Sequence, residues 1–455
     1  MFSWRLPPDR LPPDHLPRLA VVGNPENRRV TLFAAAVAEA ELPAPRVVSW
    51  TEVLRAGGAQ FAQDEIVRLD SPGEHPGVDR ELRGVDDPTR VEGTARWYPR
   101  FLAAVRGLAG GQRLDDPDEL AVLFDKRRCH AVLDAAGVPV PFSPTSATPT
   151  SATPTSATPT SATPTSATPA PATPASATPA SATPASATPA PEPPAVHGWD
   201  DVRRLMRAHR MPRLFVKLAH GSSASGVLAV EASARGRVRA TTSVELAPDG
   251  RLFNSLKVRR YEREADIAAV VDTLAPDGLH LEQWVPKASQ GGRAADLRVV
   301  VIAGRATHAV VRTSTSPMTN LHLGGARGDL DAARAAIEAA GGSWAEALDV
   351  CERAAACFPG TLCVGVDLLP VSGWRRFVVC EVNAFGDLLP RLTGLPGSGA
   401  EGLDTYAAQV AAVRYGGPGA APRIAAHPAG RLAPPPTRAT APRHPHGTDQ
   451  HHASA

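Results

Sequence analysis

Nine tandem pentapeptides fill residues 145–189: TSATP five times, APATP once, then ASATP three times. These 45 residues hold no charge and no large apolar side chain. Such a stretch cannot bury enough surface to offset its ordering entropy. Any fold must therefore be assembled from the sequence on either side of it. The composition predicts a disordered spacer over 145–194, partly polyproline II in character. A Ser/Thr modification site is the alternative reading. The Pro-rich residues 1–17 are also expected to be disordered, as is the Pro/Ala/His-rich tail 416–455, and the tail histidines carry no metal motif.

The chain has 455 residues, with 48 Lys plus Arg against 46 Asp plus Glu. That near balance argues against a nucleic-acid partner, which would call for a basic excess. No run of about 20 apolar residues exists, so no membrane-spanning helix is expected, and the first residues lack the apolar core of a signal peptide. The five cysteines, Cys129, Cys351, Cys357, Cys363 and Cys380, form no CxxC pair. They suit a reducing cytoplasm and read as small buried hydrophobes.

The run LAVVG (19–23) is a short β-branched strand stopped by Gly-Asn-Pro. RRVTLFAAAVAEAE has helical spacing, and RVVSW (46–50) is the next strand. A strand–helix–strand start predicts a parallel sheet with helices on its faces, an α/β fold, over 18–119. Residues 23–29 then fall at the strand's C-terminal end, where such sheets bind ligands. They form either a plain turn with Arg28 and Arg29 in solvent, or an anion or substrate site.

The chemistry concentrates later. Asp125-Lys126 opens a helix that ends at Gly137, before Val-Pro-Val-Pro. LFVK (214–217) is a strand with Lys217 at its end. His220-Gly221-Ser222-Ser223-Ala224-Ser225-Gly226 follows, a loop of small residues whose N–H groups can approach a phosphate closely. Residues 279–286 read as a strand ending in Glu282-Gln283-Trp284. Residues 294–312 read as a hairpin turning at Ala303-Gly304, with Arg298 and Arg312 on neighbouring strands. Asp367 sits in an apolar strand, and Glu381 and Asn383, two apart, share a face of the next. Buried carboxylates there call for a compensating cation, and three oxygen ligands suit Mg²⁺. Salt bridges, with Arg375 or Arg376 as partners, would satisfy the same carboxylates.

Taken in order, these segments resemble the ATP-grasp superfamily: Asp125-Lys126 with Gly137 to Pro141, Val216-Lys217 with Gly221 to Gly226, Glu282 to Trp284, Asp296-Leu297-Arg298, Arg312, Asn320 to Gly325, Asp367, and Glu381-Val382-Asn383. The Asp-Leu-Arg and Asn-x-His-x-Gly-Gly segments are most similar to the branch of ribosomal-protein glutamate ligases and glutathione synthetase. The resemblance implies an N-terminal Rossmann-like (pre-ATP-grasp) βαβ domain over 18–119. A two-subdomain ATP-grasp fold over 120–415 would follow it, with nucleotide between two sheets and the repeat as a variable-loop insertion.

It further implies an ATP-dependent carboxylate–amine or carboxylate–thiol ligase that forms an acyl phosphate. Its cofactors would be ATP and Mg²⁺, with Mn²⁺ as an alternative. Its partners would be small-molecule or peptide carboxylate and amine substrates, and a second copy of the chain in a homodimer. Lys126 and Lys217 would hold phosphates, and His220, Gly221, Ser222, Ser223 and Gly226 would cover them. Backbone groups around Gln283, Trp284 and Val285 would receive adenine, and Glu282 would lie near that hinge. Asp367, Glu381 and Asn383 would bind metal, and Arg298 and Arg312 would stabilise the transferring phosphoryl group or grip a carboxylate. A kinase on the same fold and a non-catalytic nucleotide-binding regulator are the rival readings. Asp387, beyond the Glu-Val-Asn segment, either binds a cationic amine or caps a turn.

Overall fold

The structure is a computed structural model that describes residues 16–146, 195–221, 224–384, 389 and 392–415. Ser222, Ser223, Asp387, residues 1–15, most of the repeat and the tail from 416 lie outside the described residues.

The first sheet is parallel, as the strand–helix–strand pattern predicts. Strand β1 (Arg18–Gly23) leads through helix α1 (Arg28–Glu39) to β2 (Arg46–Ser49). Helix α2 (Trp50–Ala56) then leads to β3 (Ala59–Leu69). Helices α3 (Pro76–Arg83) and α4 (Thr94–Arg106) precede β4 (Leu108–Arg113). The order is β2-β1-β3-β4, every pair parallel. Asn27 starts α1 by accepting the Arg29 N–H at 2.9 Å, and the apolar spacing of Val30, Phe33, Ala36 and Val37 buries one face of the helix.

Helices α5 (Pro117–Leu123) and α6 (Lys126–Ala135) come next. Asp125 caps α6, its Oδ1 accepting the Arg127 N–H at 2.9 Å. Helix α7 (Trp199–Ala208) resumes the described chain. The second sheet holds β5 (Arg213–Leu218), β6 (Leu228–Ala232), β7 (Val238–Leu246) and β8 (Leu252–Tyr261). Helix α8 (Glu264–Leu274) returns the chain to β9 (Leu279–Gln283). This sheet is antiparallel, in the order β8-β7-β6-β5-β9. Val202 and Met206 of α7 and Ile267, Val270 and Leu274 of α8 pack on its inner face against Leu214, Val216 and Leu281.

The third sheet contains β10 (Ser289–Gln290), β11 (Arg293–Ile302), β12 (Arg305–Ser314) and β13 (Ala326–Arg327). Helices α9 (Leu330–Ala339) and α10 (Trp344–Ala356) precede β14 (Cys363–Pro370) and β15 (Phe377–Asn383). Its order is β13-β12-β11-β14-β15, with β10 on β11. The hairpin β11–β12 turns at Ala303-Gly304, both with positive φ (50° and 79°), the two-residue geometry that matches strand twist. Val350, Cys351 and Ala354 of α10 belong to the core that covers this sheet. Helix α11 (Thr405–Tyr415) packs on α1, bringing Tyr406 and Val410 against Phe33 and Val37.

The register of β14 with β15 is irregular. Asp367 faces Glu381 and Leu368 faces Val379, so Cys380 is an extra residue in a β-bulge. Strict alternation would turn Cys380 away from Glu381; two bulge residues opposed to one partner let both face the same space. All five cysteines are free. Cys129, Cys351 and Cys363 are buried as the sequence suggests, whereas Cys380 is not an inert core residue: it reaches the cleft between the second and third sheets.

The repeat begins inside the fold. Thr145 and Ser146 are buried and hydrogen-bonded, so the 145–194 boundary starts two residues too early as a spacer. No helix among the described residues is long and apolar enough to cross a membrane.

Candidate functional site

Two cavities meet along one wall. The narrower is a slot between the second and third sheets. Phe215, Val227, Met318 and Leu369 give it apolar sides, and Glu282, Gln283 and Val285 line it where the chain leaves β9. The broader, about 580 Å³, extends to the C-terminal edge of the first sheet, reaching Arg28 and Arg29 in the first turn of α1 and Ser71 and Glu74 in the loop after β3. Lys126, Gly221, Arg312, Asn320, Asp367 and Glu381 line both. A ligand seated in the slot would present one end to anything bound in the broader cavity.

Strand β5 places Lys217 in the slot, where it forms a buried ion pair with Glu282 on the adjacent β9. Its ammonium also donates to Cys380 Sγ at 3.3 Å. Burial opposes the charge, but the Cys380 sulfur and the carboxylates of Glu282 and Glu381 hold the Lys217 pKa above its ordinary value. Burial likewise pushes Glu282 up, and Lys217 with His280 more than offsets it, so the carboxyl is held well below its usual range. Burial raises the Cys380 thiol to about 12, so it is a thiol at neutral pH.

Lys126, at the start of α6, donates to the Gly221 carbonyl at 2.8 Å and is ion-paired with Glu381. The two carboxylates on β14 and β15 are thus compensated by side chains other than Arg375 or Arg376. Arg298 grips Asp367 with two nitrogens, and Arg312 reaches the same carboxylate at 3.1 Å. Arg312 also donates to Asp296 at 2.8 Å, and Asp296 accepts Lys287 at 3.1 Å and the Thr319 hydroxyl. Burial works against ionised Asp296 and Asp367. Lys287 with Arg312, and Arg298 with Arg312, hold the two carboxyls below their ordinary pKa.

The Asn383 amide nitrogen donates to the Gly365 carbonyl at 3.3 Å, leaving its oxygen as the available ligand atom. Asp367, Glu381 and Asn383 all line the broader cavity. Among the described residues no cluster of three His, Cys, Asp or Glu is arranged to hold a metal. Two carboxylates and an amide oxygen still form a hard-oxygen set of the kind Mg²⁺ takes together with phosphate oxygens.

His220 lines the broader cavity. It stacks on Tyr98 with centroids 3.9 Å apart and bonds through Nδ1 to the Phe124 carbonyl at 3.0 Å. Burial lowers its pKa against the pull of Asp125. Among the described residues, two sequence-predicted ones lie off both cavity walls. Gly226 is needed for packing, because at φ +67° a Cβ there would lie 2.5 Å from Leu218. Trp284 turns its indole onto Phe215 and beneath Arg213, and the strand ends one residue before it. The Gln283 N–H is spent on the Phe142 carbonyl at 2.8 Å and the Trp284 N–H on the Arg213 carbonyl at 3.3 Å.

Arg28 and Arg29 both reach the broader cavity with Asn27, and Arg29 pairs with Glu74 at 3.3 Å, so the end of the 23–29 segment, the start of α1, is part of a cavity wall. Cys380, Lys287, Thr319 and the Ser71–Glu74 loop line the cavities without a sequence signal. Cys380 is hidden by a bulge that no alternation pattern reveals. The others sit in segments where no motif spacing marks them.

No protein-family model matches the chain, and no curated protein matches it in sequence. Solved structures do resemble it. ATP-grasp ligase PsnB complexed with minimal precursor shares 15% identity, covering 88% of this chain and 99% of that one, at a TM-score of 0.44. D-cycloserine synthetase DcsG shares 15%, covering 80% and 91%, at 0.41. D-alanine–D-alanine ligase from Bacillus anthracis complexed with ATP shares 11%, covering 84% and 90%, at 0.36.

Proposed function

We propose that the chain is an ATP-grasp ligase that activates a carboxylate as an acyl phosphate with Mg-ATP and joins it to an amine or similar nucleophile. The observation that carries this reading is the shared wall of Lys126, Arg312, Asp367 and Glu381 between an apolar slot and a broader polar cavity. Adenine would lie between Phe215, Val227, Met318 and Leu369, against the backbone of Gln283 and Val285, with the second and third sheets on either side. Lys217 and Lys126 would hold phosphates, and the Gly221 end of the loop would close over them. The parallel first sheet would serve as a Rossmann-like substrate domain, contributing Arg28 and Arg29.

Asp367, Glu381 and the Asn383 amide oxygen would hold Mg²⁺ (Mn²⁺ takes the same donors), which when bound neutralises charge on the transferring phosphoryl group. Arg298 and Arg312 point planar, doubly donating groups at the same place, suited to a phosphoryl oxygen or a substrate carboxylate. Already anchored by Asp296 and Asp367, they need little reorganisation to act there. The chain's part is to align carboxylate and γ-phosphate and to exclude water, which is the general logic of phosphoryl transfer. No covalent protein intermediate is required, in keeping with a Cys380 thiol that stays protonated.

The test has two stages. A thermal-shift titration with ATP, ADP and GTP, with and without Mg²⁺, should give a Mg-dependent, adenine-selective rise in Tm. A carboxylate-plus-amine screen read by ADP release then supplies a substrate, used with ¹⁸O in its carboxylate. Transfer of ¹⁸O to the released phosphate marks an acyl phosphate. A stable phosphorylated product without that transfer would mean a kinase, and binding with no ADP release across the screen would mean a non-catalytic nucleotide-binding protein.

A further inference from the structure

The first residue of the repeat is hooked to the wall of the slot. Thr145 is fully buried, and its hydroxyl oxygen accepts the Leu281 N–H of β9 at 2.9 Å. The same oxygen lies 3.2 Å from His280 Nδ1. His280 is also buried, and burial lowers its pKa to about 4, so at neutral pH the ring carries one proton. Its Nε2 faces Glu282 Oε2 at 3.6 Å, and that oxygen has no hydrogen-bond partner among the described residues.

A carboxylate can only accept. Charge therefore favours the ring proton on Nε2, toward Glu282, but at 3.6 Å no hydrogen bond holds it there; in that tautomer Nδ1 is left with a bare lone pair. The Thr145 hydroxyl has one proton to give, with the Leu281 carbonyl at 3.4 Å and Nδ1 at 3.2 Å as acceptors and the Ser143 hydroxyl 3.1 Å away able to donate or accept; the contact to Nδ1 is the one that meets this lone pair. Glu282 in turn grips Lys217 through its other oxygen. Next door, the Ser146 hydroxyl meets His130 Nδ1 at 2.8 Å, while His130 Nε2 bonds the Pro141 carbonyl.

We propose that Thr145 is a positioning residue of the nucleotide slot: it fixes the His280 tautomer, which orients Glu282, which holds Lys217 where phosphate is to be bound. The last link rests on the ATP-grasp reading above, and the first two do not. Without the hydroxyl only the Glu282 charge, 3.6 Å away, still favours Nε2–H; the Nδ1–H population rises, and in it a ring lone pair faces the Glu282 carboxylate. Glu282 swings, and Lys217 loses its fixed position.

The test uses the full chain labelled with ¹⁵N-histidine, with the His280 signals identified by their loss in His280→Gln. The wild type is expected to show the Nε2–H tautomer. Thr145→Val should shift His280 toward Nδ1–H and raise the ATP KM roughly three- to tenfold, the worth of about one hydrogen bond, with a smaller change in kcat. Thr145→Ser should restore both, and Ser146→Ala should leave the His280 signals unchanged. Thr145→Cys, a weaker donor of similar size, gives the same comparison if the valine variant does not fold. An unchanged tautomer together with an ATP KM within twofold of wild type, in either substituted chain, overturns the proposal. The tautomer is read without any turnover. Absence of ATP binding in the wild type would therefore sink the ligase reading and the Lys217 link, while the spectra still decide whether Thr145 sets His280.

Discussion

Replacing Asp296 by alanine should destabilise the third sheet far more than the loss of an ordinary ion pair. Asp296 is 2% exposed and accepts from Lys287, Arg312 and Thr319. Removing one partner of a buried pair leaves an uncompensated charge and costs about 3–5 kcal/mol. Arg312 keeps Asp367 at 3.1 Å and is not orphaned. Among the described residues Lys287 keeps only the Thr319 hydroxyl at 2.8 Å, a neutral partner. The lower end, about 3 kcal/mol, is therefore expected, and at about 2–4 °C per kcal/mol this is a Tm drop of roughly 6–12 °C. The control is Asp64→Ala, which breaks the Arg18 pair whose side chains are 59% and 56% exposed. There the loss should stay under about 1 kcal/mol and fade with salt. Scanning calorimetry of both variants at low and high salt makes the comparison. The double variant Asp296→Ala/Lys287→Met should recover much of the loss, because it removes the stranded charge. Equal Tm drops in the two single variants, or a double variant no better than Asp296→Ala, would refute the reasoning.

Glu381→Gln should abolish Mg-dependent ADP release while costing only about 1 kcal/mol of stability, since its pair with Lys126 is partly exposed; wild-type turnover would sink its metal role. Deleting the pentapeptides at 150–189, with Thr145 and Ser146 retained, should leave Tm and nucleotide Kd nearly unchanged, because closure entropy grows only logarithmically with loop length; calorimetry and titration check this. Asp115→Asn should gain stability over wild type as pH rises. Burial lifts the Asp115 pKa to about 7, so the native state binds the extra proton and wild-type stability falls between about pH 4 and 7. A Tm difference that does not change between pH 5 and 8 would contradict it.

Much of this was legible in the sequence because local rules agreed with the fold. The strand–helix–strand start, the α6 cap at Asp125 and the Ala303-Gly304 hairpin all follow from spacing and turn chemistry. So does the meeting of Asp367, Glu381 and Asn383, because period-two alternation survives wherever the ladder is regular. What was hidden depends on tertiary contact. The cations facing those carboxylates come from β11, β12 and α6, not from the nearby Arg375 and Arg376. Trp284 is expected from the sequence to offer its backbone to adenine, but its N–H is spent on the Arg213 carbonyl and its indole lies on Phe215 and Arg213. Thr145 reads as the first letter of a repeat, and only the histidine beside it reveals that it belongs to the core.

The bulge at Cys380 gives β15 an unusual tolerance. In a regular strand, losing one residue rotates everything beyond it to the other face. Here Asp367 already faces Glu381 and Leu368 already faces Val379, so Cys380 is surplus to the ladder. A chain shortened by Cys380 alone would close into regular pairing and keep Glu381 and Asn383 aimed at the cleft. The strand thus carries a spare letter: length can vary at this one point while the carboxylate register is conserved.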